Sequence, residues 1–204
     1  MIAALVASVA FQSAQAHVVA DFYPLIVGTK WTYSGTGGMG EETIDTVAAP
    51  IELNGQMFHK VSTSIGMGQT SVTLYKVTED TVYVAGYDAA KLLKEPQPIL
   101  KFTGTRTKWS YEGSTPFFDI LAPFALKGES WPSGKKKFLG YEAETMQAKV
   151  EATIQVGPKE IVISKQKATY AKGFGLIEME EEVISGESKR KRTLKLTGFE
   201  AGKQ

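Results

Sequence analysis

The sequence predicts an all-β domain, mainly antiparallel, of about ten strands with one or two short helices. Three observations carry that expectation. Beyond residue 20 the chain is dominated by short apolar–polar alternations rich in β-branched and aromatic residues. Glycine, asparagine and aspartate punctuate those runs, most explicitly at Asn54-Gly55, the dipeptide preferred by two-residue hairpins. The third is the absence of any polar linker able to divide the 204 residues into separate domains.

Taken in order, residues 1–16 read MIAALVASVAFQSAQA, uncharged and ending in the small-x-small triplet Ala14-Gln15-Ala16, as a secretory signal peptide ends. The apolar run is shorter than the ~20 residues a membrane-spanning helix needs. Cleavage after Ala16 would leave residues 17–204 as one β-rich domain, periplasmic or secreted, with no integral membrane segment. No cysteine exists to take a lipid anchor or a disulfide.

Strands are expected at 30–34, 43–48, 56–64, 71–77 and 81–87, a meander of antiparallel neighbours joined by Gly35 to Gly40, Asn54-Gly55 and Glu79-Asp80. Residues 88–95 (DAAKLLKE) read as two helical turns stopped by Pro96 and Pro98, with a strand resuming at 99–102. Residues 119–126 read as a second short helix or a buried strand. Further strands are expected at 138–142, 146–156, 160–168, 175–184 and 190–199, about ten in all. Two short echoes, TKWTYSG at 29–35 against TKWSYEG at 107–113 and Gly28-x-x-Trp31 against Gly128-x-x-Trp131, read as a recurrent hairpin opening, not a duplication.

Composition excludes several functions. A formal charge of +1 and only three arginines, Arg106, Arg190 and Arg192, give no basic surface for nucleic acid. The string Gly35-Thr36-Gly37-Gly38-Met39-Gly40 matches a dinucleotide fingerprint, but the alternating segment Glu41 to Val47 follows it where a helix should begin. Glu178, Glu180, Glu181 and Glu182 face Lys189, Arg190, Lys191 and Arg192 across an expected hairpin, and cross-strand neutralisation accounts for both blocks. No nucleophile elbow is present, so no enzyme, catalytic residue or cofactor is expected. Glu178, Glu180 and Glu182 share one strand face that could hold calcium, and the two histidines define the leading metal candidate: signal cleavage would expose His17 as an N-terminal amine and imidazole for copper, with His59 as partner and Met39, Met57 and Met67 as thioethers.

The segment Tyr23-Pro24-Leu25-Ile26-Val27-Gly28-Thr29-Lys30-Trp31-Thr32-Tyr33 resembles the Tyr-Pro-Leu-x-x-Gly-x-x-Trp-x-Tyr opening of a group of exported bacterial proteins of unassigned function. The Gly-x-Ser-Trp at Gly128 to Trp131 and the stretch Tyr170-Ala171-Lys172-Gly173-Phe174-Gly175-Leu176 are similar to that group's central and closing motifs. The resemblance implies a curved antiparallel sheet, a half-barrel or open barrel of the lipoprotein-carrier-like type, and it brings no catalytic residues. In such a strand Trp31 and Tyr33 share one face, expected to be core, and Gly173 and Gly175 bracket a sharp bend. The expected role is a non-enzymatic exported protein holding a lipid or other apolar ligand in a concave sheet. Alternatives are an envelope protein-interaction module using a sheet edge, and the His17 copper site.

Overall fold

The computed structural model describes residues 19–37, 42–66, 68–88, 91–117, 120–185 and 188–203, the side chains of 115–121 excepted. Twelve antiparallel strands alternate along these residues. They are β1 (Lys30–Thr36), β2 (Glu42–Leu53), β3 (Gln56–Ile65), β4 (Gln69–Val77), β5 (Thr81–Tyr87), β6 (Lys91–Lys101), β7 (Thr107–Phe117), β8 (Ile120–Phe138), β9 (Tyr141–Val156), β10 (Lys159–Ala171), β11 (Gly175–Ser185) and β12 (Ser188–Glu200). They form one sheet in the order β6-β5-β4-β3-β2-β1-β12-β11-β10-β9-β8-β7. That order is the chain order rotated, so the meander runs around a nearly closed barrel: β12 pairs with β1, and the remaining seam lies between β6 and β7. Ser130 on β8 bridges the seam by donating its hydroxyl to the Lys101 carbonyl at the end of β6.

The β class and the meander agree with the sequence reading, and Asn54-Gly55 makes the two-residue turn between β2 and β3 with φ of 52° and 73°. Several elements differ. Residues 88–95 do not form helical turns: β6 occupies Lys91–Lys101, with Leu92 opposite Gly86 on β5. Helix-favouring side chains are overridden because Leu92 packs against the buried Phe58, Leu74 and Ala85. Pro96 and Pro98 fit because β6 is an edge strand with no ladder on its far side. Of the two readings of 119–126 the strand holds, since β8 runs unbroken over Ile120–Phe138. The only helix among the described residues is the 3-10 turn Val19–Asp21.

The sequence reading places no strand over 107–117 or 127–134, where Gly113, Gly128, Pro132 and Gly134 interrupt the alternation. Their reason is visible in packing: Trp109 lies over Gly128 so closely that a Cβ there would sit 2.0 Å from the indole. The two TKW echoes open the first strand of each six-strand half, β1 and β7.

Inward-facing side chains are fixed by the period-2 alternation. Trp31 and Tyr33 on β1 both point inward and are buried, as expected. One core cluster joins Val82 and Leu100 of β5 and β6 to Met146, Ala148, Ala168 and Met179 of β9, β10 and β11, so opposite walls of the barrel meet. The N-terminal segment closes that end. Val19 donates its backbone N–H to Glu79 at 3.1 Å, Gly173 donates to Asp21 at 2.7 Å, and Phe22 packs edge-on to Phe102 at 5.2 Å. Tyr23 and Leu25 follow it into the interior. Gly173 and Gly175 turn the chain with φ of 79° and 84°, and a Cβ on Gly175 would meet Trp31 Nε1 at 3.2 Å.

Candidate functional site

Above the N-terminal plug the interior is not filled. A cavity of about 340 Å³ remains, lined among others by Trp31, Tyr33, Asp45, Tyr75, Tyr87 and Tyr170, with Tyr23 as part of its wall. Each of these residues is placed by strand register. Asp45 on β2 lies directly opposite Trp31 on β1 and Thr63 on β3, and so shares their inward phase. Tyr75 on β4 pairs with Val84 on β5, next to a β-bulge at Leu74/Tyr75 that changes the phase of the strand. Tyr170 reaches in from β10, on the opposite wall, beside a second bulge at Thr169/Tyr170.

The rings support one another: Tyr23 stands 5.6 Å from Tyr75 and 6.2 Å from Tyr170, both tilted. Trp31 is oriented from outside the cavity by donating Nε1–H to the Phe174 carbonyl. The Thr63 hydroxyl donates to Asp45 Oδ1 at 2.6 Å. Among the described residues Asp45 has no basic partner within ion-pair distance. Burial raises its carboxyl above the ordinary value, and the Thr63 hydrogen bond pulls in the other direction. Burial likewise pushes Tyr75 up to about 12 and raises Tyr23, Tyr33, Tyr87 and Tyr170. The tyrosine hydroxyls are therefore neutral donors and acceptors at physiological pH, around a half-buried carboxyl group that has no ionic partner among the described residues.

The inner wall beyond this cavity, toward the hairpin turn at 157–158, becomes polar. Gln166 sits 2.6 Å from the Met179 sulfur, Ser164 donates to Glu181 at 2.8 Å, and Arg192 pairs with Glu181 at 3.8 Å while its buried Nε–H has no partner among the described residues. A larger space of about 720 Å³ lies against the middle of β7–β12. Charges of both signs surround it, with a small basic excess. The register sets Lys127, Glu151, Lys165, Glu182 and Lys191 side by side across five strands in alternating sign, with Lys165 and Glu151 3.2 Å apart. Neutralisation expected of one hairpin thus extends over half the barrel, with Glu181 on the inward phase of β11 and Glu178, Glu180 and Glu182 on the other.

The remaining sequence candidates fall elsewhere. His17, Met39, Met67 and residues 1–16 lie outside the described residues. His59 is exposed on β3 opposite Tyr75, and Met57 is exposed near the adjacent turn. Among the described residues no three His, Asp or Glu side chains converge to hold a metal, and no helix is long and apolar enough to cross a membrane. Asp45 escaped the sequence reading, although its signal was present. Thr43, Asp45 and Val47 alternate in one phase, so an acid stands where an apolar residue belongs.

No family model matches the chain, and no curated protein matches it. Among solved structures it is similar to a protein assigned as exported, with a YmcC-like fold, from Bacteroides fragilis NCTC 9343. The TM-score is 0.44 and the identity 9%, over 86% of this chain and 96% of that one. It is also similar to a protein assigned as a lipoprotein from Parabacteroides distasonis ATCC 8503, with TM-score 0.43 and 9% identity, over 88% and 98% of the two chains. Likenesses of this size bear on neither ligand nor activity.

Proposed function

We propose that this chain is a non-enzymatic, exported binding protein that holds one small, largely apolar ligand inside the barrel at the level of Asp45. The observation that carries the reading is the partly open aromatic cavity with a few convergent polar groups, the ordinary composition of a small-molecule site. Its volume of about 340 Å³ lies at the lower end of the ~300–1,000 Å³ range of such sites, and the core clusters occupy the space below it. A compact ligand therefore fits better than an extended acyl chain. Export rests on the signal-like residues 1–16. The ligand would enter from the end away from the N-terminal plug, past Gln166 and Glu181.

A neutral fluorescent probe, N-phenyl-1-naphthylamine, tests the reading. Saturable, one-to-one enhancement is expected in the wild type and its loss in Thr73→Trp, which drives an indole into the cavity from β4. Equal binding by both proteins places the probe elsewhere and overturns the assignment.

A further inference from the structure

We propose that the cavity selects a ligand carrying a cationic, ammonium-type group, bound between the Asp45 carboxylate and the faces of Trp31, Tyr33, Tyr75 and Tyr87. The inference deepens the binding function proposed above and rests on it. Its basis is a mismatch between what the interior contains and what it compensates. A carboxylate removed from water is costly unless paired. Glu181, the inward acid of β11, has Arg192 at 3.8 Å. Among the described residues Asp45 has only the Thr63 hydroxyl, which fills one of its lone-pair sites, and no ion-pair partner.

The surroundings point to the same chemistry. Six aromatic residues line the cavity with Asp45, among them Trp31, Tyr33, Tyr75 and Tyr87. Ring faces carry negative potential, and an aromatic box beside a carboxylate is the arrangement that recognises substituted ammonium groups. An anionic ligand would meet both the carboxylate and those faces unfavourably. A neutral ligand would leave the acid unpaired or require it to stay protonated. Tyrosine hydroxyls can accept the N–H hydrogens of a primary or secondary amine, and a quaternary group would need none of them.

A pair of isosteres separates charge from shape: benzyltrimethylammonium and the neutral 2,2-dimethylpropylbenzene, in which carbon replaces nitrogen. Quenching of tryptophan fluorescence, with Trp31 in the cavity wall, reports occupancy of the full chain. The expected result is at least tenfold tighter binding of the cation. That preference is lost in Asp45→Asn, with the neutral isostere bound as before, and kept in Thr63→Val, which removes the hydrogen bond but not the charge. Equal or tighter binding of the neutral isostere overturns the cation assignment while leaving the cavity as a site. Failure of both compounds to bind, in a protein that also fails to bind N-phenyl-1-naphthylamine, removes the binding function itself.

Discussion

Replacing Asp45 by asparagine asks whether the barrel carries a carboxyl that is stabilising only when protonated. In the fold the carboxyl is raised by burial, with the Thr63 hydroxyl acting against that rise; in the unfolded chain it returns to ~3.9. The folded state therefore binds the proton more tightly than the unfolded state. Relative to Asp45→Asn, the wild type is best placed below ~3.9 and loses that advantage as pH climbs through the raised folded value. Each unit of separation is worth ~1.4 kcal/mol. In a domain of about 200 residues ~1 kcal/mol shifts Tm by roughly 2–4 °C, so each unit corresponds to about 3–5 °C.

The ionisable groups that face Asp45, namely Tyr23, Tyr33 and Tyr75, are all raised from 10.0 and stay neutral over the range, so they cancel between the two proteins. The assay is thermal unfolding of both proteins, without ligand, between about pH 3.5 and 8. The wild-type Tm minus the variant Tm should fall with pH and then level off. A difference that stays constant, or rises with pH, refutes a desolvated and unpaired carboxyl.

Other consequences follow from the same packing. Gly175→Ala places a Cβ 3.2 Å from Trp31 Nε1 at a φ of 84°, and should cost about 1–2 kcal/mol in chemical denaturation, with a shift of tryptophan emission. Gly128→Val drives Trp109 off its seat and should cost about 3 kcal/mol or more, read as a lower denaturation midpoint, while Ile161→Ser on the exposed face of β10 should change it by less than about 0.5 kcal/mol. Spectrophotometric titration of the tyrosines should leave the buried set un-ionised at pH 11, because Tyr75 is pushed up to about 12. Stability conferred by such groups is complete below about 10 and lost as pH rises through the folded value, so ionisation of the set should coincide with alkaline unfolding.

Much of the barrel was legible because its strands follow the period-2 rule where turns are marked by glycine and asparagine. Trp31 and Tyr33 declare their face by spacing alone, and Asn54-Gly55 declares its hairpin. The first half of β6 was not legible, because it carries residues whose local preference is helical and whose strand state depends on Leu92 reaching Leu74 and Phe58 from elsewhere in the chain, whereas the strand expected at 99–102 forms its end. β8 hid for a related reason: Gly128 weakens the local pattern, and its compensation is Trp109, which faces it from the neighbouring strand. The site combines both cases. Asp45 breaks the phase of its own strand, which sequence can reveal, but only register brings Trp31, Thr63 and Tyr170 around it.

Native mass spectrometry tests the central claim most directly, applied to the full chain expressed with residues 1–16, recovered after export and compared with Thr73→Trp. A wild-type protein that retains one small ligand, released on unfolding and absent from the folded variant, is the outcome expected of an interior binding site. Wild-type protein recovered bare, and still bare after incubation with benzyltrimethylammonium and with N-phenyl-1-naphthylamine, contradicts it.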